Sequence, residues 1–226
     1  MTKNVNNENK VNKINLITLG DSQVGKTSLI FRYIDNSFTT NYLSTIGIDS
    51  KFKNETLSNG EIVYVKISDT AGQERFKSIA KNFLLKADGV ILVYDITNKQ
   101  SFDNLENWFN DINEKASEKP IILIGNKLDL ERKVDTEKGI QLAKKFNKEI
   151  KFFETSCKTG ENVEEAIKYL VEQVYNKNKG KSRHSTSIPC IMTSQSAGTS
   201  TAGSPISYVL TSVPTTCRQS HTTPTY

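Results

Sequence analysis

Apolar runs of strand length alternate with helix-period segments from residue 14 to about residue 176. The runs at 14–19, 50–57, 62–67, 90–94, 121–124 and 151–154 predict strands, and apolar positions at helical spacing predict helices over 26–34, 77–85, 102–114, 136–146 and 163–175. Strands 90–94 and 121–124 are apolar throughout, as strands covered by helices on both faces should be. Ser58-Asn59-Gly60 separates the second and third strands and is a hairpin turn signal, so that pair is expected to be antiparallel. The alternation predicts an α/β fold: a six-stranded, mostly parallel sheet with one antiparallel strand, flanked by about five helices. Trp108 falls on the third of these helices and reads as a packing residue.

Composition narrows the class. At 226 residues, 36% hydrophobic and 24% charged, the chain has the balance of a globular α/β domain with a large core. No apolar run approaches the roughly 18 residues of a spanning helix, and residues 1–10 are polar and Asn-rich rather than signal-like, so a cytoplasmic protein is expected. Cys157, Cys190 and Cys217 lack metal-ligand spacing and read as reduced thiols.

The net charge of +5 is localised. Five basic residues, Lys177, Lys179, Lys181, Arg183 and Arg218, follow Asn176 without any Asp or Glu, which leaves 25 basic and 25 acidic residues before them. A neutral domain offers no nucleic-acid-binding face. Between Ser182 and Tyr226, 20 of 45 residues are Ser or Thr, too few of the remainder being large and apolar to offset ordering entropy. The expected organisation is a flexible N-terminus over 1–12, one domain over 13–176, and over 177–226 a disordered tail, first basic and then rich in Ser, Thr and Pro.

Chemistry enters after the first strand. Gly20-Asp21-Ser22-Gln23-Val24-Gly25-Lys26-Thr27 fits G-x-x-x-x-G-K-[ST] between a strand and a helix, the context in which glycines let backbone N–H groups wrap a phosphate chain ahead of a positive helix end. With Ser28 after it, this block is the candidate phosphate site. Lys26 would reach the β/γ-phosphates and Thr27 would hold Mg²⁺. By itself the pattern leaves ATP and GTP open.

Three further segments follow strands whose carboxyl ends should line one crevice: Asp69-Thr70-Ala71-Gly72-Gln73-Glu74, Asn126-Lys127-Leu128-Asp129 and Thr155-Ser156-Cys157-Lys158. A carboxylate at Asp129 can accept from both N1–H and the exocyclic amine of guanine, a pairing adenine cannot make, so guanine is favoured. Asp69 suits Mg²⁺ through water. Gly72 can bring an N–H to a γ-phosphate, and the Gln73 amide can orient an attacking water.

These segments, in this order, resemble the Ras superfamily of small GTPases over residues 14–175. Ser44-Thr45-Ile46-Gly47-Ile48-Asp49, Arg75-Phe76-Lys77-Ser78-Ile79 and Leu92-Val93-Tyr94-Asp95-Ile96-Thr97 are similar to its Rab branch, whose members direct vesicle traffic. The resemblance implies a P-loop small G domain and a GTP-hydrolysing switch that cycles between GTP and GDP with Mg²⁺. It implies that Thr45 ligates Mg²⁺ alongside Thr27 and Asp69, that Phe38 packs beside guanine, that Tyr42 lies over the phosphates, and that Asn126, Lys127, Asp129, Ser156 and Lys158 form the base pocket. Lys26, Thr45, Gly72 and Gln73 would carry catalysis. Residues 38–50 and 69–85 would be the switches, read by an exchange factor, an activating protein and effectors; with no arginine in evident reach as a finger in cis, slow intrinsic turnover by a monomer is expected.

The chain departs from the branch at three places. Ser50 and Ser68 stand where two effector-contacting aromatics are usual, while Phe83 keeps the third. Cys157 stands where Ala is more frequent, and its guanine contact would be a backbone N–H. The last residues, Thr222-Thr223-Pro224-Thr225-Tyr226, contain no C-a-a-X box, so prenylation is not expected and membrane contact would be peripheral, on endomembranes. The departures set an alternative beside the cycling switch: a GTP-binding scaffold or competitor that does not cycle.

Overall fold

Six strands form one sheet in the order β2-β3-β1-β4-β5-β6: β1 (Asn12–Leu19), β2 (Ile48–Thr56), β3 (Ile62–Thr70), β4 (Gly89–Asp95), β5 (Ile121–Asn126) and β6 (Lys151–Thr155). The computed structural model describes residues 12–40, 47–70, 77–147 and 149–184, all within the first of two units, Met1–Ser187. Only β2 runs antiparallel to its neighbour, as its hairpin turn predicts. Gly60, at φ +81, donates its N–H to the Leu57 carbonyl at 2.9 Å, and the Asn59 side chain accepts from the Glu61 N–H at 3.0 Å.

Helices α1 (Lys26–Asp35) and α6 (Val163–His184) cover one face of the sheet. There Leu29, Ile30, Ile167, Leu170 and Val171 pack against Ile14, Val65, Ile91 and Ile124. The opposite face carries α2 (Lys77–Lys86), α3 (Lys99–Asp103), α4 (Leu105–Ala116) and α5 (Thr136–Phe146). Every residue of β4 is buried, the two-sided cover that its unbroken apolar run requires. Each of its Val, Ile and Leu side chains contributes about 1.5–3 kcal/mol by leaving water, and the central strands are thereby held rigid where they end at the site.

Four boundaries differ from expectation. Asn12 lies in β1 opposite Val63, not in a flexible terminus, because the edge of β3 offers it a backbone partner. Strand β3 continues to Thr70, so Asp69 lies within the ladder opposite Asp49. The helix expected over 102–114 is two, because the Asn98 side chain accepts from the Gln100 N–H at 3.0 Å and starts an earlier turn, and a junction at Asn104 opens the next.

The last helix runs past Tyr175 to His184, so residues 177–184 are not the start of an unstructured tail. Composition placed the boundary too early, since tertiary contacts extend the helix. Lys177 Nζ donates to the Glu118 carbonyl, and Lys179 Nζ reaches Glu61 Oε1 at 2.7 Å while lying over the Tyr175 ring. Two of the basic residues assigned to the tail are thus engaged with the domain.

Candidate functional site

The carboxyl ends of β1, β3, β5 and β6 gather the predicted segments. After Leu19 the chain turns through Gly20 at φ +138, Gln23 at φ +65 and Gly25 at φ +97, and α1 starts at Lys26. A Cβ on Gly20 would stand 2.1 Å from the Val93 carbonyl oxygen, and one on Gly25 would stand 2.2 Å from Asn126 Nδ2. The loop is therefore shaped by close approach to β4 and β5, in the strand–glycine turn–helix context in which backbone N–H groups cradle an anion.

Lys26 is 4% exposed and folds over its own loop, donating to the carbonyls of Gly20 at 2.9 Å and Asp21 at 2.6 Å. Burial pushes its pKa down to about 8, partly countered by the charges of Asp69 and Asp21. A bound polyphosphate, which favours the charged form, would give this ammonium the counter-charge that burial denies it. Asp21 contributes only backbone to such an anion. Its carboxylate is taken by Asn104 Nδ2 at 2.7 Å and Trp108 Nε1 at 2.8 Å, which hold the negative charge toward α4.

Thr27 Oγ1 donates to Asp69 Oδ2 at 2.6 Å, and Thr18 Oγ1 lies 3.4 Å from Asp69 Oδ1. A hydroxyl and a carboxylate oxygen thus meet beside the loop. Among the described residues no group of three or more His, Cys, Asp or Glu side chains is placed to hold a metal ion. Two hard oxygen donors without a protein cage fit Mg²⁺, which keeps several waters and shares its remaining positions with phosphates.

The base-side segments are braced from several directions. Asn126 donates Nδ2 to the Val24 carbonyl at 2.8 Å, tying β5 to the phosphate loop, while its Oδ1 accepts from Thr155 Oγ1 and Cys157 Sγ, each at 3.2 Å. Lys127, at φ +72, pairs with Asp95 Oδ2 at 2.6 Å, and the other Asp95 oxygen accepts from the Thr97 N–H and hydroxyl. Asp129 Oδ1 accepts from Ser156 Oγ at 2.6 Å, and Lys158 Nζ stands 4.0 Å from Oδ2. The carboxylate is held in place with acceptor capacity remaining for a base edge.

Phe38 is 38% exposed just beyond α1. Ser22, Gln23, Val24 and Ser28 complete the loop and the first turn of α1 as the motif requires. Tyr42, Thr45, Gly72 and Gln73 lie outside the described residues. The site also contains partners that the motifs did not announce. Trp108, read as packing, donates to Asp21 from 87 positions away, and Asp95 fixes the Lys127 ammonium. For Asp95 there was a signal, a carboxylate at the end of a buried strand; for Trp108 there was none.

Cys157 is buried, and desolvation pushes its thiol up to about 12, with the hydrogen bond to Asn126 countering only part of the effect. At pH 8 the thiolate fraction is then about one part in ten thousand. Iodoacetamide at pH 8 is expected to leave Cys157 unmodified in the folded protein and to label it in urea, as read by peptide mass spectrometry. Rapid labelling of native protein would contradict this burial.

A doubly covered parallel sheet, a phosphate loop and a carboxylate set for guanine define a P-loop guanine-nucleotide-binding protein. Residues 15–176 match the Ras family. The chain is 46% identical over 169 residues to Ras-related protein Rab-13 of Canis lupus familiaris, covering 74% of this chain and 82% of that one. It is 45% identical over 175 residues to human Ras-related protein Rab-8B, with 76% and 83% covered, and 44% identical over 165 residues to Ras-related protein RABE1e of Arabidopsis thaliana, with 71% and 74% covered. The chain belongs to the Ras family, in its Rab branch: a small GTPase that binds GTP and GDP with Mg²⁺, hydrolyses GTP to GDP, and acts with exchange factors, activating proteins and effectors as Rab-type switches do.

Proposed function

We propose that the chain is a monomeric, cytoplasmic switch of vesicle traffic, peripheral on endomembranes, whose two states differ at residues 38–50 and 69–85. The observation that carries the reading is the 2.6 Å pair between Thr27 and Asp69, which joins the phosphate loop to the strand leading directly into the second of these segments. A γ-phosphate bound beside that pair would be close to both the loop and the chain that follows Asp69. In this reading Thr27, Thr45 and Asp69 would hold Mg²⁺, which would supply neutralisation of phosphate charge. Lys26 and the loop N–H groups share that load, Gly72 presents an N–H to the γ-phosphate, and Gln73 orients the water for in-line attack.

Asn126, Lys127, Asp129, Ser156, Lys158 and the Cys157 backbone form the guanine pocket in this reading, with Phe38 packing beside the base and Tyr42 assigned to the phosphates. The working domain is residues 12–184 and the tail follows it. Ser50 Oγ lies 3.5 Å from Ser68 Oγ across β2 and β3, so two small hydroxyls occupy the place of bulky anchors. Interfaces draw most of their energy from such anchors, and effector choice therefore does not carry over to this chain from relatives with an aromatic face. Gln73→Leu is expected to retain GTP yet hydrolyse it at least about tenfold more slowly in single turnover, the size of effect that positioning a reacting water supplies. An unchanged rate would remove Gln73 from the mechanism.

A further inference from the structure

Arg32 lies in the last turn of α1, half-buried, outside every nucleotide motif and more than a hundred positions before the base loop it touches. Its guanidinium nevertheless ends on the guanine side of the site. Nε donates to the Cys157 carbonyl at 2.7 Å and one terminal nitrogen to the Lys158 carbonyl at 2.8 Å. The other terminal nitrogen donates to both the carbonyl and the side-chain oxygen of Asn36, each at 3.0 Å. Asn36 closes α1 in the left-handed region at φ 47, and the chain leaves it toward Phe38. One planar cation therefore joins three pieces: the helix that begins at the phosphate loop, the loop Ser156-Cys157-Lys158, and the entrance to the first switch.

At the start of α1 the loop is met by a weak contact from Cys157 Sγ to the Gly25 carbonyl at 3.9 Å, and Arg32 ties it to the other end of the helix. Gly160 supplies the φ of +89 at which this loop turns, and the internal bonds from Ser156 shape the turn without anchoring it to the helix. We propose that Arg32 is a positioning residue for nucleotide retention: by clamping two successive carbonyls of the base loop to the end of α1, it holds that loop's N–H groups at the guanine and sets the rate at which GDP leaves. It further couples release to the first switch, because displacing Asn36 breaks half of the clamp. The inference rests on the assignment of residues 156–158 to the guanine base.

The test follows dissociation of fluorescent N-methylanthraniloyl-GDP from the full chain with Mg²⁺ present. Arg32→Ala and Arg32→Lys are compared with the parent and with Ile112→Val, a buried core change in α4 that touches none of the bonds between Arg32 and the base loop. Arg32→Ala is expected to release GDP about tenfold faster, as befits loss of charge-assisted bonds to two carbonyls. Arg32→Lys is expected to restore little of this, because a point donor cannot span both carbonyls and Asn36. Ile112→Val, with its melting temperature measurably lowered, should release at the parental rate. Arg32 variants within twofold of the parent, or a control that accelerates equally, would overturn the positioning role. A parent chain that does not retain the fluorescent GDP would instead overturn the base-loop assignment beneath it.

Discussion

Asp129→Ala is expected to weaken GDP binding at least about a hundredfold, from the loss of two hydrogen bonds to a charged acceptor worth ~1.5–3 kcal/mol each. The native carboxylate is prepared for that pairing. Ser156 Oγ fixes Oδ1 at 2.6 Å and the Lys158 ammonium stands by Oδ2, so little ordering remains to be done when a base arrives. Asp129→Asn separates base reading from collapse of the fold. An amide presents one acceptor and one donor, which mismatches the two donors of guanine and matches xanthine, where a carbonyl replaces the exocyclic amine. Titration calorimetry should show GDP affinity falling in both variants and xanthosine diphosphate binding only in Asp129→Asn. Undiminished GDP binding by Asp129→Ala would remove this residue from the base pocket.

Gly20→Ala is expected to produce the largest loss of stability of any single change in the loop. The added Cβ would sit 2.1 Å from the carbonyl oxygen of Val93, in a fully buried central strand that cannot retreat. The native φ of +138 is also one that L side chains rarely adopt. Overpacking and backbone strain, each about 1–3 kcal/mol, together approach a large share of the ~5–15 kcal/mol that holds a domain folded. Melting should fall by roughly 8 °C or more at ~2–4 °C per kcal/mol for a chain of this size. Saturating GDP should recover less of the loss than it adds to the parent, because the loop that would bind it is displaced. A melting temperature within about 3 °C of the parent would show that β4 yields more readily than its packing implies.

The two glycines that shape the loop illustrate what the motif conceals. Spacing marked Gly20 and Gly25 as the points where backbone must come close to phosphate, yet their side-chain-free faces also meet Val93 and Asn126. The first requirement is local and was legible. The second depends on which strands flank β1, and no run of residues near Gly20 encodes it.

The hydrophobic pattern determined the six strands, the single antiparallel pair and the two-sided cover, because strand and helix periods and a hairpin turn are short-range properties of the chain. The motifs determined which strand ends carry chemistry, since phosphate and guanine each demand particular residue types at particular spacings. Only the tertiary structure decided that Asp69 belongs to the ladder, that α6 continues through Lys177 and Lys179, and that Asp95, Trp108 and Arg32 brace the site. These are pairings between groups tens of positions apart, up to 126 for Arg32 and Lys158. Such pairings exist because the sheet order brings strand ends together, and side-chain contacts of that range leave no periodic trace in a sequence.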